Sequence, residues 1–153
     1  MASVERKGSM AIQTGQSPVL WALALLLPLV GCAKEGPERV AVAGQITYGG
    51  GDWPKPGVIY FTPLGGASGA TIHPGLGHFD VHGDFTAQTF EPGDGLVPGK
   101  YRLHVECWEV EPSPDPSHGP PKSYVPQKFQ LPELDIPVGT RGPLTPTYDV
   151  PKR

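Results

Sequence analysis

The sequence predicts an all-β fold, a single antiparallel β-sandwich after an apolar N-terminal leader, on three observations. Pro and Gly are abundant, 20 and 21 of 153 residues, enough to break helices along the whole chain. Beyond residue 32 the longest stretch free of both is 100–111, and its apolar residues recur at the strand period, not the helical one. Shorter runs of the same kind recur at close spacing between Gly/Pro turns, the pattern of a sandwich. The charge is modest: 12 Lys and Arg against 15 Asp and Glu leave a formal net of −3, which offers nothing to a nucleic-acid backbone.

Residues 1–31 read as a signal peptide. Arg6 and Lys7 give a positive start, and 19–30 (VLWALALLLPLV) is an apolar run of 12 residues. A membrane-spanning helix needs ~20 such residues, so this run is too short to be one. It ends in Leu29-Val30-Gly31-Cys32, a small residue directly before a cysteine, which resembles the lipobox of bacterial lipoproteins. The resemblance implies that Cys32 is lipidated through its thiol, that residues 1–31 are removed and that the new amino terminus is acylated. Acyl chains contribute about 0.8 kcal/mol per buried CH₂, so such an end holds a chain on a membrane without a spanning helix. The expected location is the cell envelope, on the periplasmic or outer face of a membrane. Residues 32–38 carry the lipidated cysteine and a polar tether containing Gly36 and Pro37; the β-domain covers 39–153. With Cys32 acylated, Cys107 is the one thiol left, so packing rather than a disulfide must hold the domain.

Within the domain, 39–48 (RVAVAGQITY) puts Val40, Val42, Ile46 and Tyr48 on one face, and Gly49-Gly50-Gly51-Asp52 ends the strand. The apolar run 58–62 (VIYFT), bounded by Pro56-Gly57 and Pro63, reads as a strand buried on both faces or nearly so. Weaker strands are expected at 70–73, 78–82 and 84–90. The segment 101–110 (YRLHVECWEV) sends Tyr101, Leu103, Val105 and Cys107 inward and Arg102, His104, Glu106 and Trp108 outward, with Leu96-Val97-Pro98-Gly99 as its entry turn. Residues 111–121 (EPSPDPSHGPP) carry Pro112, Pro114, Pro116, Pro120 and Pro121 and must form a loop, a stiff connector between two strands. A last strand near 144–150 would close the sheet.

Several of these pieces, in this order, are similar to the small lipoproteins of planctomycete type that carry a transthyretin-like, carboxypeptidase regulatory-like β-sandwich. The residues concerned are Val42-Ala43-Gly44-Gln45-Ile46-Thr47-Tyr48, residues 56–63 (PGVIYFTP), Gly83-Asp84-Phe85, residues 95–103 (GLVPGKYRL) and Val125-Pro126-Gln127-Lys128-Phe129. The resemblance spans about residues 40–150 and implies a fold, not an activity. It brings no catalytic residues and no cofactor.

Two clusters are candidates for chemistry. If 78–84 were extended, His78, Asp80, His82 and Asp84 would share one face, and two imidazoles flanking a carboxylate can hold a divalent metal. Alternation alone accounts for polar residues on an outer face, so solvated side chains are the simpler reading. Trp53, in a Gly/Pro turn, and Trp108, on an outward face, could form a stacking platform for a sugar or a protein partner. No G-x-S-x-G or H-E-x-x-H motif occurs, and His104 reads as a cross-strand pairing residue rather than a general base. The expectation is thus a non-enzymatic, membrane-anchored structural or protein-binding module with an envelope protein as its partner. The alternative is a metal- or carbohydrate-binding lipoprotein of unknown small-molecule ligand.

Overall fold

A computed structural model describes residues 37–66 and 71–153. The predicted leader 1–31, Cys32 and most of the tether lie outside the described residues. Nine strands follow in order: β1 (Ala43–Tyr48), β2 (Gly57–Gly66), β3 (Gly75–Phe79), β4 (Asp84–Thr86), β5 (Gly99–Glu106), β6 (Trp108–Val110), β7 (Lys122–Ser123), β8 (Leu134–Ile136) and β9 (Thr147–Val150). Seven of them make one continuous curled sheet in the order β8-β5-β2-β3-β4-β1-β9, and β6 and β7 pair as a separate two-stranded ribbon. The fold is all-β, with no α-helix among the described residues.

The sheet is not antiparallel throughout. β9 runs parallel to β1, pairing Gln45 with Thr147 and Tyr48 with Val150, because the chain crosses from β8 over one end of the sheet before entering β9. The other ladders are antiparallel, the longest joining β2 to β5 from Val58–Glu106 to Gly66–Gly99 with a shift of register between Pro63 and Gly65.

The core lies inside the curl, and the alternation in the sequence fills it. Val40, Val42, Ile46 and Tyr48 are buried from the β1 segment, Tyr101, Leu103 and Val105 from β5, and Cys107 just beyond β5. Phe61 of β2 reaches Phe85 of β4 (ring centroids 6.1 Å) and Tyr101 of β5 (6.4 Å), so side chains from both halves of the sheet meet in one cluster. β2 differs from the expectation of burial on both faces. Ile59 and Phe61 are fully buried, whereas Val58 and Tyr60 are half-buried and Thr62 is exposed, because the strand's alternation turns these three to the outer face of the sheet, away from the core.

The weaker strands are redistributed. Residues 71–74 form no strand, β3 takes the Gly-rich stretch Gly75–Phe79, and β4 is only three residues long, extended by an isolated bridge between Leu76 and Gln88. Between β3 and β4 the chain turns at Asp80–Gly83. Gly83 has φ +84°, and a side chain there would overlap the Ile46 carbonyl oxygen, so only glycine lets the turn close against β1. β8 had no counterpart in the periodicity: its three residues lie between Pro132 and Pro137, too short a run to alternate visibly.

Registers fix which loops share an end of the sheet. At one end lie the chain entry at 37–40, the end of β2 at Gly66, the start of β3 at Gly75, the 88–98 loop and the 137–143 crossover, tied by Val40–Leu96 and Gly99–Ile136 pairing. The other end carries the 49–56 loop, the Asp80–Gly83 turn and the β6–β7 ribbon.

Candidate binding cleft

At the ribbon end, the 49–56 loop folds inward. Gly49 and Gly50 both have positive φ and carry the tight turn whose closing hydrogen bonds join Tyr48 and Gly51, N to O, at 2.9 and 3.3 Å. The turn delivers Trp53 into the core, where it is 3% exposed, stacks on Tyr48 (5.0 Å), contacts Phe79 (4.9 Å) and donates its indole N–H to the Ile46 carbonyl at 2.6 Å. Trp53 therefore cannot serve in the exposed stacking platform expected for it. A large ring with one polar atom is well suited to plug the end of a curled sheet when that atom finds a buried acceptor.

The predicted metal face also comes apart. His78 stands on the solvent side of β3, opposite Val58, while Asp80 and His82 lie in the turn. The Asp80 carboxylate accepts from the backbone N–H of His82 (2.9 Å) and Asp84 (3.2 Å), so it organises the turn. His82 Nδ1 faces Asp52 at 3.4 Å, both exposed. Val81, which an extended strand would turn toward the core, is exposed as well. The extended conformation on which the face depended is replaced by a turn, and no group of three or more His, Cys, Asp or Glu among the described residues could hold a metal ion. His78 and Asp84 do share a shallow depression of about 690 Å³ on the outer face, lined also by Gln45, Thr86, Gln88 and Thr147.

Trp108 is placed differently. It is half-buried at the start of β6, at the end of a deeper cleft of about 620 Å³ along the outer face of β5. β5 provides the floor through Arg102, His104 and Glu106, the residues its alternation sends outward. The opposite wall is the segment 123–131, which doubles back beside β5. It is pinned at its start: Tyr124 N and Ser123 Oγ both donate to the Cys107 carbonyl, at 2.9 and 3.3 Å. Buried Leu131 and the half-buried Val125 and Phe129 pack the wall against the core. The Pro-rich loop, exposed throughout 111–121, joins β6 to β7 as the connector expected. Asp115 caps a single 3₁₀ turn there by accepting from Ser117 N, a bond that lowers its carboxyl below the ordinary range.

The charges in the cleft are unequal in their engagement. Glu106 faces His104 Nε2 at 3.6 Å, and the Tyr60 ring stacks on its cross-strand neighbour His104 at 6.4 Å. Burial, followed by the Glu106 charge, raises the Tyr60 phenol. His104 is thus the pairing residue its position predicted. Arg102 and Lys128, by contrast, have no ion-pair partner among the described residues. Cys107, between β5 and β6, is buried in the core and donates to the Lys55 carbonyl at 3.4 Å; burial, outweighing the nearby Lys55 ammonium, pushes its thiol up and away from reactivity. The arrangement offers an aromatic face, three cations without an ion-pair partner among the described residues (Arg102, Lys128 and Arg153), the Glu133 carboxylate and peptide-like hydrogen-bonding groups, equipment for holding a ligand.

Sequence reasoning found Trp108 and the outward set on β5. It missed Lys128 and Phe129 as cleft residues, because a segment broken by Pro126 and Pro132 has no period from which its path across β5 could be read. No protein-family model, curated protein or solved structure matches the chain.

Proposed function

We propose that this chain is a lipid-anchored, non-enzymatic module of the cell envelope, in which a β-sandwich of transthyretin-like type holds a protein partner in the Trp108 cleft. Three features support the reading. The Leu29-Val30-Gly31-Cys32 ending of a short apolar run supports the anchor. The meeting of Phe61 with Phe85 across the curl supports a sandwich, with β8-β5-β2-β3 as one layer and β4-β1-β9 as the other. The observation that carries the binding role is the pairing of half-buried Trp108 with unpaired Arg102 and Lys128 in one cleft, which favours a segment bearing both apolar and acidic side chains. A second reading, an acidic polysaccharide stacked on Trp108, draws on the same aromatic face.

The test uses the full chain in its native envelope, with a photo-crosslinking residue at position 128 and, in a control chain, at position 147 in the shallow depression. The expected result is a defined protein adduct from position 128 that disappears with Trp108→Ala, and none from position 147. Equal adducts from both positions, or adducts indifferent to Trp108, would refute the cleft as the binding site. Polysaccharide in place of protein at position 128 would decide for the second reading.

A further inference from the structure

Large apolar side chains at the surface are unevenly placed. Of the four exposed ones among the described residues, Leu64 (40%), Phe90 (52%) and Val138 (62%) all belong to the end of the sheet where the chain enters, and only Val81 lies at the other. Phe90 is held there rigidly. The Asp94 carboxylate accepts from the backbone N–H groups of Thr89 (2.7 Å), Phe90 (3.1 Å) and Glu91 (3.0 Å), which closes the loop and turns the Phe90 side chain outward. Arg39, two residues past the first described residue, bonds the same carboxylate at 2.7 Å and lays its guanidinium 5.4 Å from the Phe90 ring. The entering chain and the exposed ring are therefore one structural unit.

Only five residue steps separate Cys32 from Pro37, a reach of at most ~18 Å. A domain held so closely must present its entry end to whatever holds Cys32. We propose that this end is a lipid-contacting face, with Phe90, Leu64 and Val138 entering the interfacial layer of the bilayer. The inference rests on the Cys32 anchor of the preceding section. Its chemistry is that of interfacial apolar groups, which settle at the boundary between headgroups and acyl chains. Two cations of this end are held within the fold, Arg39 by Asp94 and Lys100 by Asp135 (3.7 Å), while Arg141 in the crossover has no ion-pair partner among the described residues and is open to lipid headgroups. The contact stands the sheet on end and directs the Pro-rich loop and the Trp108 cleft away from the membrane.

The test places a cysteine at position 64, 90 or 138, or at position 117 in the Pro-rich loop, in the full chain purified from bacterial membranes. With the Cys32 thiol lipidated and Cys107 buried, the introduced thiol is the one accessible to a solvent-sensitive fluorophore. The labelled chains are reconstituted into phosphatidylethanolamine–phosphatidylglycerol vesicles carrying nitroxide on the acyl chains. Emission from positions 64, 90 and 138 is expected to shift to the blue and to be quenched, while position 117 keeps the emission of a probe in water. Acylation of Cys32 is read by mass on the same samples. Acylated chains whose three probes stay in water overturn the lipid-contacting face and leave the anchor standing; chains without acylation overturn the anchor and, with it, this inference.

Discussion

The two ends of the curled sheet spend their large apolar residues in opposite ways. At the ribbon end Trp53 turns inward, sealed between Tyr48 and Phe79, with its one polar atom bonded to the Ile46 carbonyl. At the entry end a turn of similar length closes around Asp94 and leaves Phe90 outside. Closure there is provided from within by Tyr101, whose hydroxyl donates to the Val97 carbonyl at 2.6 Å, four residues back. The difference separates structure from availability: an aromatic in a Gly/Pro-rich loop is a plug when its loop bends over the open core and a contact group when another residue already fills that end.

Trp53→Ala is expected to cost about 3–5 kcal/mol, since the surrounding rings cannot collapse into the volume lost. Guanidinium unfolding of the full chain in detergent measures it, and a loss below ~1 kcal/mol would mean that the ring is not the plug of its end. Next in size is Tyr101→Phe, which leaves the Val97 carbonyl buried without its donor, at a cost of about 1–3 kcal/mol.

Burial, opposed only by that bond, pushes the Tyr101 phenol up to about 12. A group whose pKa is raised on folding stabilises the fold below its ordinary value of 10 and loses that contribution as pH climbs toward 12. Stability followed across this range should therefore fall more steeply in the parent chain than in Tyr101→Phe. Asp94 gives the acid counterpart. Burial pushes its carboxyl up, but the N–H groups of Thr89, Glu91 and Phe90, together with the Arg39 guanidinium, outweigh it and hold the pKa below the ordinary carboxylate value. Its stabilisation is present above that ordinary value and is lost as pH falls through the lowered one. Asp94→Asn should cost about 1–2 kcal/mol at neutral pH and flatten the acid limb of the stability curve. Smallest of all is Phe90→Ser, expected within about 0.5 kcal/mol because the ring is already exposed. A larger loss would show that Phe90 packs as structure, erasing the contrast between the ends.

Much of the fold was legible where strands alternate. Val40, Val42, Ile46 and Tyr48, and the inward set of β5 with Cys107, lie in the core as their period required. Legibility failed where local chemistry overrides period. Residues 78–82 alternate on paper, yet the Asp80 carboxylate and Gly83 make a turn there, which parts His78 from His82 and puts Val81 in solvent. It failed again where the partner strand is remote in sequence, since nothing in residues 147–150 states that they pair parallel to β1. For the candidate site, the outward position of Trp108 could be read, but the wall opposite it depends on the return of 123–131 across β5. Trp53 shows the converse: its Gly/Pro surroundings suggested exposure, whereas the indole N–H had an acceptor waiting seven residues upstream.

We propose that one end of this molecule is fixed to a membrane through Cys32 while the cleft along β5 holds a ligand. The most direct test is the mass of the N-terminal peptide of the full chain recovered from the membrane fraction of a bacterium with lipoprotein-processing enzymes. The expected peptide begins at Cys32 and carries acyl chains, with Cys32→Ala leaving the leader in place. An unmodified Cys32, or a chain cut at another position and recovered free of membrane, would contradict it.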